Sequence, residues 1–179
     1  ILLPGRLTSW KGQELFIEAI NLVKIELGYE AFHAIILGSE QGRNLYKKKL
    51  IRLTEQYHLT NQIKFINQCK DMALAYQVSD IIVSASIEPE AFGRVAVEAQ
   101  SMEKLIIASN IGGSNETIIN EKTGLLFASG DAKSLSQKII KAITMDETSI
   151  KLLGIEGRKN IKKKFNVEKM CFSTYSEYK

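Results

Sequence analysis

Six short apolar runs, separated by longer segments of helical periodicity, constrain the fold of this chain more than any other feature of its sequence. The runs are rich in Ile, Leu and Val, and most of them are continuous. Continuous runs of this kind are typical of strands that are buried on both faces, as in a parallel sheet. The predicted strands are residues 1–3, 32–37, 63–66, 81–85, 105–108 and 125–127.

The segments between these runs predict helices. From Phe16 to Leu27, apolar residues recur at three- and four-residue steps and form one face, and Gly28 favours an end of the helix there. Similar patterns predict helices at 45–57, 72–78, 95–102 and 135–143. This alternation predicts an α/β fold, a Rossmann-like, doubly wound parallel sheet of about six strands with helices on both faces and right-handed crossovers.

A C-terminal helical extension is predicted beyond Met145, where the strands stop. Two charged helices occupy about 148–164 and 167–178. We expect one domain over residues 1–179, with its core at about 1–145 and with the extension only partly supported by the rest of the chain. The sequence opens directly on a strand-like segment, so we also expect it to start inside a longer polypeptide.

Composition limits the classes of partner. Hydrophobic residues make up 45% and charged residues 25%, the balance of a globular protein. The net charge of +4 suits an anionic ligand or an anionic membrane surface, although an ordinary solvated surface explains it equally well. It is too small to indicate a nucleic-acid partner. Cys69 and Cys171 have no metal or redox spacing, which fits a reducing cytoplasm.

The segment after the first predicted strand carries two cations. Arg6 and Lys11 flank a turn that leads into a helix. A helix N-terminus attracts anions, an Arg side chain can hold two phosphate oxygens in a fork, and a Lys side chain adds a point charge. These types predict a diphosphate site, although the segment taken alone also fits a solvated loop with two surface cations. It lacks the glycine-rich phosphate-loop motifs.

Two carboxylates follow the fourth predicted strand. Glu90 and Glu98 are separated by seven residues, and Gly93 lies where a helix begins. The amides after Phe92 can point at an anion, and a carboxylate at Glu98 is suited to ribose hydroxyls. Taken alone, acids here also fit solvated charges that favour the helix N-terminus, which is the interpretation we adopt for Glu88.

Paired glycines follow the fifth predicted strand. Gly112 and Gly113 precede a short helix, and they fit either close approach of a ligand or a tight turn with Asn115 as helix N-cap. Because the carboxyl ends of parallel strands meet at one edge of a sheet, we expect all three segments to share one crevice.

Together these segments resemble the C-terminal, donor-binding domain of the family-4 (group 1) retaining glycosyltransferases of the two-domain GT-B fold. The resemblance covers about residues 2–145 and depends on the order and spacing of its motifs. These are Gly5-Arg6 with Lys11-Gly12, Glu90-Ala91-Phe92-Gly93 with Glu98-Ala99, Ala108-Ser109 with Gly112-Gly113 and Glu116, then Gly124-Leu125-Leu126 and Gly130-Asp131.

The resemblance implies retaining transfer of a sugar from a nucleoside-diphosphate donor. It implies that Arg6 and Lys11 neutralise the leaving diphosphate, that Glu90 lies against the donor sugar, and that Glu98 binds the ribose. Residues 67–69 would lie near the base. The expected catalytic residues are thus Glu90, Arg6 and Lys11, and the expected donor-binding residues are Gly5, Arg6, Lys11, Glu90, Ala91, Phe92, Gly93, Arg94, Val95 and Glu98.

The resemblance also implies partners and location. It implies an N-terminal acceptor domain of the same polypeptide, which is absent here, and a role in cell-envelope polysaccharide or lipopolysaccharide synthesis in the cytoplasm, at the inner face of the membrane. Residues 162–164, three lysines, are either a solvated helix end, which we favour, or a peripheral membrane contact. No cofactor or metal is expected, because the basic site replaces a divalent ion in this family and the chain has no Asp-x-Asp pair.

Two departures and two alternatives remain. The chain has Glu103-Lys104-Leu105 where the family usually has Gly-x-Pro before strand five, and it has Asn67 where a glycine is common. A sugar-nucleotide epimerase of the same architecture is disfavoured by the combination of basic and acidic motifs. A non-catalytic sugar-nucleotide-binding module would carry the same binding residues.

Overall fold

The computed structural model describes residues 1–28 and 32–178, and a six-stranded parallel sheet forms its centre. The sheet order is β3-β2-β1-β4-β5-β6, so the order reverses between β1 and β4. The six predicted runs are confirmed as strands, and their ends differ from the prediction by at most two residues. The strands are β1 (Leu2–Pro4), β2 (Ala34–Leu37), β3 (Ile63–Ile66), β4 (Ile81–Ser84), β5 (Leu105–Ser109) and β6 (Leu125–Phe127).

Helices connect the strands and cover both faces of the sheet. The predicted stop of the first helix is confirmed, because Gly28 has φ +85° and its N–H donates to the Lys24 carbonyl. Within the described residues, none of the helices has both the length and the apolar composition that a membrane crossing requires. The helices are α1 (Gln13–Leu27), α2 (Asn44–Gln56), α3 (Met72–Gln77), α4 (Arg94–Ser101), α5 (Ser114–Thr117), α6 (Ala132–Thr144), α7 (Glu147–Lys164) and α8 (Val167–Glu177).

The core consists of two apolar layers, one on each face of the sheet. Alternate strand residues point to opposite faces. Leu3, Val83 and Ile107 face a layer that includes buried residues of α1, α2 and α6. Leu2 and Ile82 belong to the other layer, which includes buried residues of α3 and α4. Burial on both faces explains why the strands are continuous apolar runs in the sequence.

The helix α7 is packed onto this core, so the partial support that we expect for the C-terminal extension is divided unequally between its two helices. A Cβ added to Gly154 would lie 2.1 Å from the Glu103 carbonyl oxygen. The buried Asn160 side chain donates to the Thr117 carbonyl at 3.1 Å, and Ile161 is buried. The helix α8 buries none of its residues, so weak support applies to α8 alone.

The turn before β5 contains the first departure from the family pattern. Glu103 has φ +56°, a left-handed conformation that costs a non-glycine residue about 1 kcal/mol. The Glu103 carboxylate forms an ion pair with Arg158 of α7 at 3.3 Å, and both side chains are close to half exposed. Because exposed pairs contribute little, this pair offsets only a small part of the strain at Glu103.

Candidate functional site

The crevice of the sheet lies where β1 and β4 end side by side, the point at which the strand order reverses. In doubly wound sheets, ligands bind at this point. The segment after β1 and the segment after β4 are in contact here, because the Ile87 N–H donates to the Trp10 carbonyl at 2.8 Å. A Cβ on Gly12 would lie 1.9 Å from the Ala85 carbonyl oxygen. Two of the three predicted segments therefore form one surface.

The structure brings Lys11 and Glu90 together as an ion pair across this contact. The Lys11 Nζ lies 2.7 Å from Glu90 Oε2, and the two side chains are 14% and 18% exposed. The hydroxyl of Ser86 donates to the other carboxylate oxygen of Glu90. The carboxylate is thus held by a donor on each oxygen, and the lysine is held at the mouth of the crevice.

The Trp10 ring lies close to both predicted phosphate-binding cations. The Lys11 Nζ is 4.5 Å from the centroid of the Trp10 ring, and the guanidinium carbon of Arg6 is 6.0 Å from it. A cation near an aromatic face is attracted by the ring quadrupole, so the ring helps to hold two like charges near each other. Sequence reasoning assigned no role to Trp10, although its position next to Lys11 could have indicated one.

Gln13, the first residue of α1, fixes the shape of the segment after β1. Its side chain is fully buried and donates to the Arg6 carbonyl at 2.9 Å, while its oxygen accepts from the Tyr46 hydroxyl at 3.3 Å. Arg6 itself is exposed, so its guanidinium is available to a ligand. The buried role of Gln13 was not predicted from the sequence, because a polar residue at the start of a helix is usually solvated.

The paired glycines after β5 serve contacts with the chain's own backbone. The Gly113 N–H donates to the Glu90 carbonyl at 2.8 Å, and a Cβ on Gly113 would lie 2.6 Å from the carbonyl carbon of Phe92. A Cβ on Gly112 would lie 2.7 Å from the Glu90 carbonyl oxygen. The helix α5 begins at Ser114 with Gly113 as its N-cap, so the interpretation of Asn115 as N-cap is wrong.

The helix α4 begins inside the second predicted segment. Gly93 is its N-cap and has φ +70°, which favours glycine. The first backbone N–H groups of a helix have no acceptor within the helix. The N–H groups of Arg94 and Val95, at the start of α4, are therefore candidate donors to an anion. Ala91 and Phe92 are exposed, and the Phe92 ring meets Phe165 edge to face at 5.6 Å. Glu88 is exposed, as expected of a solvated charge.

Glu98 lies on α4 and is held by two donors. Its Oε2 accepts from the Tyr76 hydroxyl at 2.7 Å, and its Oε1 accepts from the Arg94 guanidinium at 3.1 Å. Burial, followed by the hydrogen bond to Glu98 and its charge, raises the pKa of Tyr76 far above its ordinary value, so the hydroxyl stays protonated and donates. Among the described contacts, no hydrogen bond or ion pair joins Glu98 to Lys11 or Glu90.

A cavity of about 260 Å³ adjoins Glu98 between α3 and α4. Met72, Tyr76, Val97 and Met102 supply most of its walls. An apolar cavity beside one carboxylate suits the flat, partly apolar part of a small ligand.

Asn67 lies in the segment that was predicted to be near the base, and its side chain accepts a hydrogen bond from Lys47.

The fold and the site define a doubly wound α/β domain with a basic crevice at its switch point. The family described as "Glycosyl transferases group 1" matches residues 1–163. The chain belongs to this family, as the sequence motifs predicted.

Relatives and solved structures agree with this assignment. A glycosyltransferase from Rickettsia africae ESF-5 shares 34% identity with a TM-score of 0.92, over 99% of this chain and 46% of that one. The capsular polysaccharide biosynthesis glycosyltransferase CapM of Staphylococcus aureus is 28% identical over 162 residues, which are 90% of this chain and 41% of CapM. The chain therefore spans less than half the length of each.

A third similar protein has been solved as a separate domain. The C-terminal domain of the group 1 glycosyl transferase LpcC from Francisella tularensis is 27% identical, with a TM-score of 0.82. The match covers 93% of this chain and 86% of that domain. Similarity to a C-terminal domain therefore extends over most of both chains.

Proposed function

We propose that this chain binds a nucleoside-diphosphate sugar in the β1–β4 crevice and is the donor half of a retaining glycosyltransferase. The observation that carries the proposal is the Lys11–Glu90 ion pair, with the exposed Arg6 guanidinium beside it at the switch point. The crevice thus has cations for a diphosphate and a fixed carboxylate next to them. The acceptor is a glycan or a lipid, and the role of the relative CapM in capsular polysaccharide biosynthesis supports a place in envelope polysaccharide synthesis.

The chemistry of sugar transfer needs this distribution of charge. As the nucleoside diphosphate leaves, negative charge grows on the phosphate and the sugar gains oxocarbenium character. Arg6 and Lys11 offer preorganised positive charge to the leaving phosphate, and the Glu90 carboxylate offers negative charge to the oxocarbenium-like sugar. Because Lys11 already contacts Glu90 at 2.7 Å, one lysine can link the phosphate end and the sugar end of a bound donor.

The nucleoside end of the donor is assigned to α4. Glu98 is 36% exposed and accepts hydrogen bonds, so it is suited to ribose hydroxyls. The adjoining cavity, lined by Met72 and Met102, is suited to the base. The amides at the start of α4, with the backbone from Ala91 to Gly93, complete the donor site. Gly5, which has φ +155° and directly precedes Arg6, belongs to the same proposed donor site.

The acceptor wall is assigned to another domain of the same polypeptide. Support comes from the relatives, of which the chain spans less than half, and from α8, which buries no residue on this chain. The exposed lysines 162–164 at the end of α7 support a contact with the inner face of an anionic membrane in the cytoplasm. Cosedimentation with anionic and with neutral vesicles tests that contact, and equal binding to both would exclude it.

Transfer of a radiolabelled sugar by the longer polypeptide tests the function directly. We expect transfer with retention of the anomeric configuration, and loss of transfer in Glu90→Gln with nucleotide binding preserved. A non-catalytic binding module would bind the donor and transfer nothing. Conversion of the free nucleotide sugar without any acceptor would instead identify an epimerase.

Nucleotide binding should not need a divalent metal, since Arg6 and Lys11 supply the positive charge that a metal would otherwise supply. The measurement is a calorimetric titration of UDP, ADP and GDP in excess chelator, repeated with magnesium and with manganese. We expect affinities that agree within about twofold in all three conditions. Affinity that the chelator removes and either metal restores would contradict the prediction.

A further inference from the structure

Tyr76 is a buried side chain whose single polar atom faces the proposed donor site. It is 2% exposed and packs in the apolar layer between α3 and α4, with Ala96 and Ala99 among its neighbours in that layer. A buried tyrosine hydroxyl needs a hydrogen-bond partner. Its partner here is the carboxylate of Glu98, 2.7 Å away on the next helix.

Of the two donors that hold Glu98, Tyr76 is the one with a fixed position. The Arg94 side chain is 83% exposed, and exposed ion pairs four residues apart on a helix restrain each other weakly. The Tyr76 ring is buried and has only two rotatable side-chain bonds, so its hydroxyl is far less free than the Arg94 guanidinium to follow Glu98 to another rotamer. The conformation of the carboxylate is therefore set by Tyr76.

We propose that Tyr76 is a positioning residue that fixes the Glu98 carboxylate for the ribose hydroxyls of the donor nucleotide. The inference rests on the proposed function, in which Glu98 binds the ribose. Each carboxylate oxygen has two lone pairs, so Oε2 can accept from Tyr76 and from a ribose hydroxyl together. Fixing the carboxylate before the ligand arrives removes the rotamer entropy that binding would otherwise cost.

The test compares a nucleoside diphosphate with its 2′,3′-dideoxy analogue, because only the first has the hydroxyls that Glu98 would bind. UDP, ADP and GDP are titrated first, and the tightest binder and its dideoxy form are then titrated into wild type, Tyr76→Phe, Glu98→Gln and the double variant. Tyr46→Phe is the matched control, since Tyr46 also donates to a side chain, that of Gln13.

We expect Tyr76→Phe to weaken the ribonucleotide about fivefold, the value of one hydrogen bond, and to leave the dideoxy form unchanged. Glu98→Gln should remove the preference for the ribonucleotide, and Tyr76→Phe should remove nothing further in that background. Tyr46→Phe should preserve the preference. The ratio of the two affinities is the readout, because partial unfolding would weaken both ligands alike.

Two results would overturn the inference, and they differ in what they leave standing. If Tyr76→Phe weakens both nucleotides equally, Tyr76 is structural only, while the assignment of Glu98 to the ribose stands. If wild type binds both nucleotides equally, the assignment of Glu98 to the ribose fails, and the inference about Tyr76 fails with it.

Discussion

Replacing Gly12 by alanine is expected to lower the free energy of unfolding by about 2–4 kcal/mol. The new Cβ would lie 1.9 Å from the Ala85 carbonyl oxygen and 2.8 Å from its carbonyl carbon. Both atoms belong to the backbone, so the segments after β1 and β4 must move apart. Gly12 also has φ +70°, which adds the cost of a left-handed alanine. Separation of the segments should break the Lys11–Glu90 pair and weaken nucleotide binding as well.

Gly130→Ala is the matched control for this prediction. Gly130 has φ +75°, and a Cβ there would meet nothing within 4 Å. It therefore carries the backbone strain without the collision, and we expect a loss of about 1 kcal/mol. Urea unfolding of both variants measures the difference. Equal losses would mean that the two segments do not touch at Gly12.

Lys11→Ala is expected to weaken nucleoside-diphosphate binding about a hundredfold, and Arg6→Ala about tenfold. A hydrogen bond to a charged group contributes about 1.5–3 kcal/mol, which corresponds to this range. The effect at Lys11 is the larger because its loss leaves the Glu90 carboxylate, only 18% exposed, without its cation beside the diphosphate. The uncompensated carboxylate then repels the ligand.

A second change separates these two causes. Lys11→Ala combined with Glu90→Gln should bind more tightly than Lys11→Ala alone, because the repelling charge is removed. Lys49→Ala is the control, since Lys49 also forms an ion pair with a glutamate, Glu14, at 2.5 Å, but lies on α2. Calorimetry should give wild-type affinity for it. Unchanged affinity in both Arg6→Ala and Lys11→Ala would exclude the diphosphate assignment.

The sheet could be predicted from the sequence because burial on both faces leaves a continuous apolar run for each strand. The end of a helix could also be predicted where a glycine stops the helix, as at Gly28. The packing of α7 onto the core was not predicted, because the many charged residues of this helix favour an exposed position. Its two glycines were a weaker indication of close packing. Gly154 and Gly157 interrupt the helical pattern, and such glycines often mark close approach to another backbone.

The site was predictable by residue type and less so by contact. Arg6, Lys11 and Glu90 follow strands that end at one edge, so their proximity followed from topology. The hydrogen bond from Tyr76 to Glu98 could not be predicted from topology, because the sequence pattern of an aromatic residue in a short apolar helix is that of an ordinary core residue. The separation of two residues along the chain does not indicate which buried hydroxyl donates to which carboxylate.

The close backbone contacts at Gly12, Gly112 and Gly113 limit how this domain can change during evolution or engineering. Each of these glycines accommodates the main chain of another site segment, so grafting one segment from a relative requires the matching glycines with it. The cavity beside Glu98 has no such constraint. Its walls include Met72 and Met102, flexible side chains that tolerate substitution. Libraries that aim to alter nucleotide preference should therefore diversify the α3–α4 wall and treat the three glycine-joined segments as a single exchangeable unit.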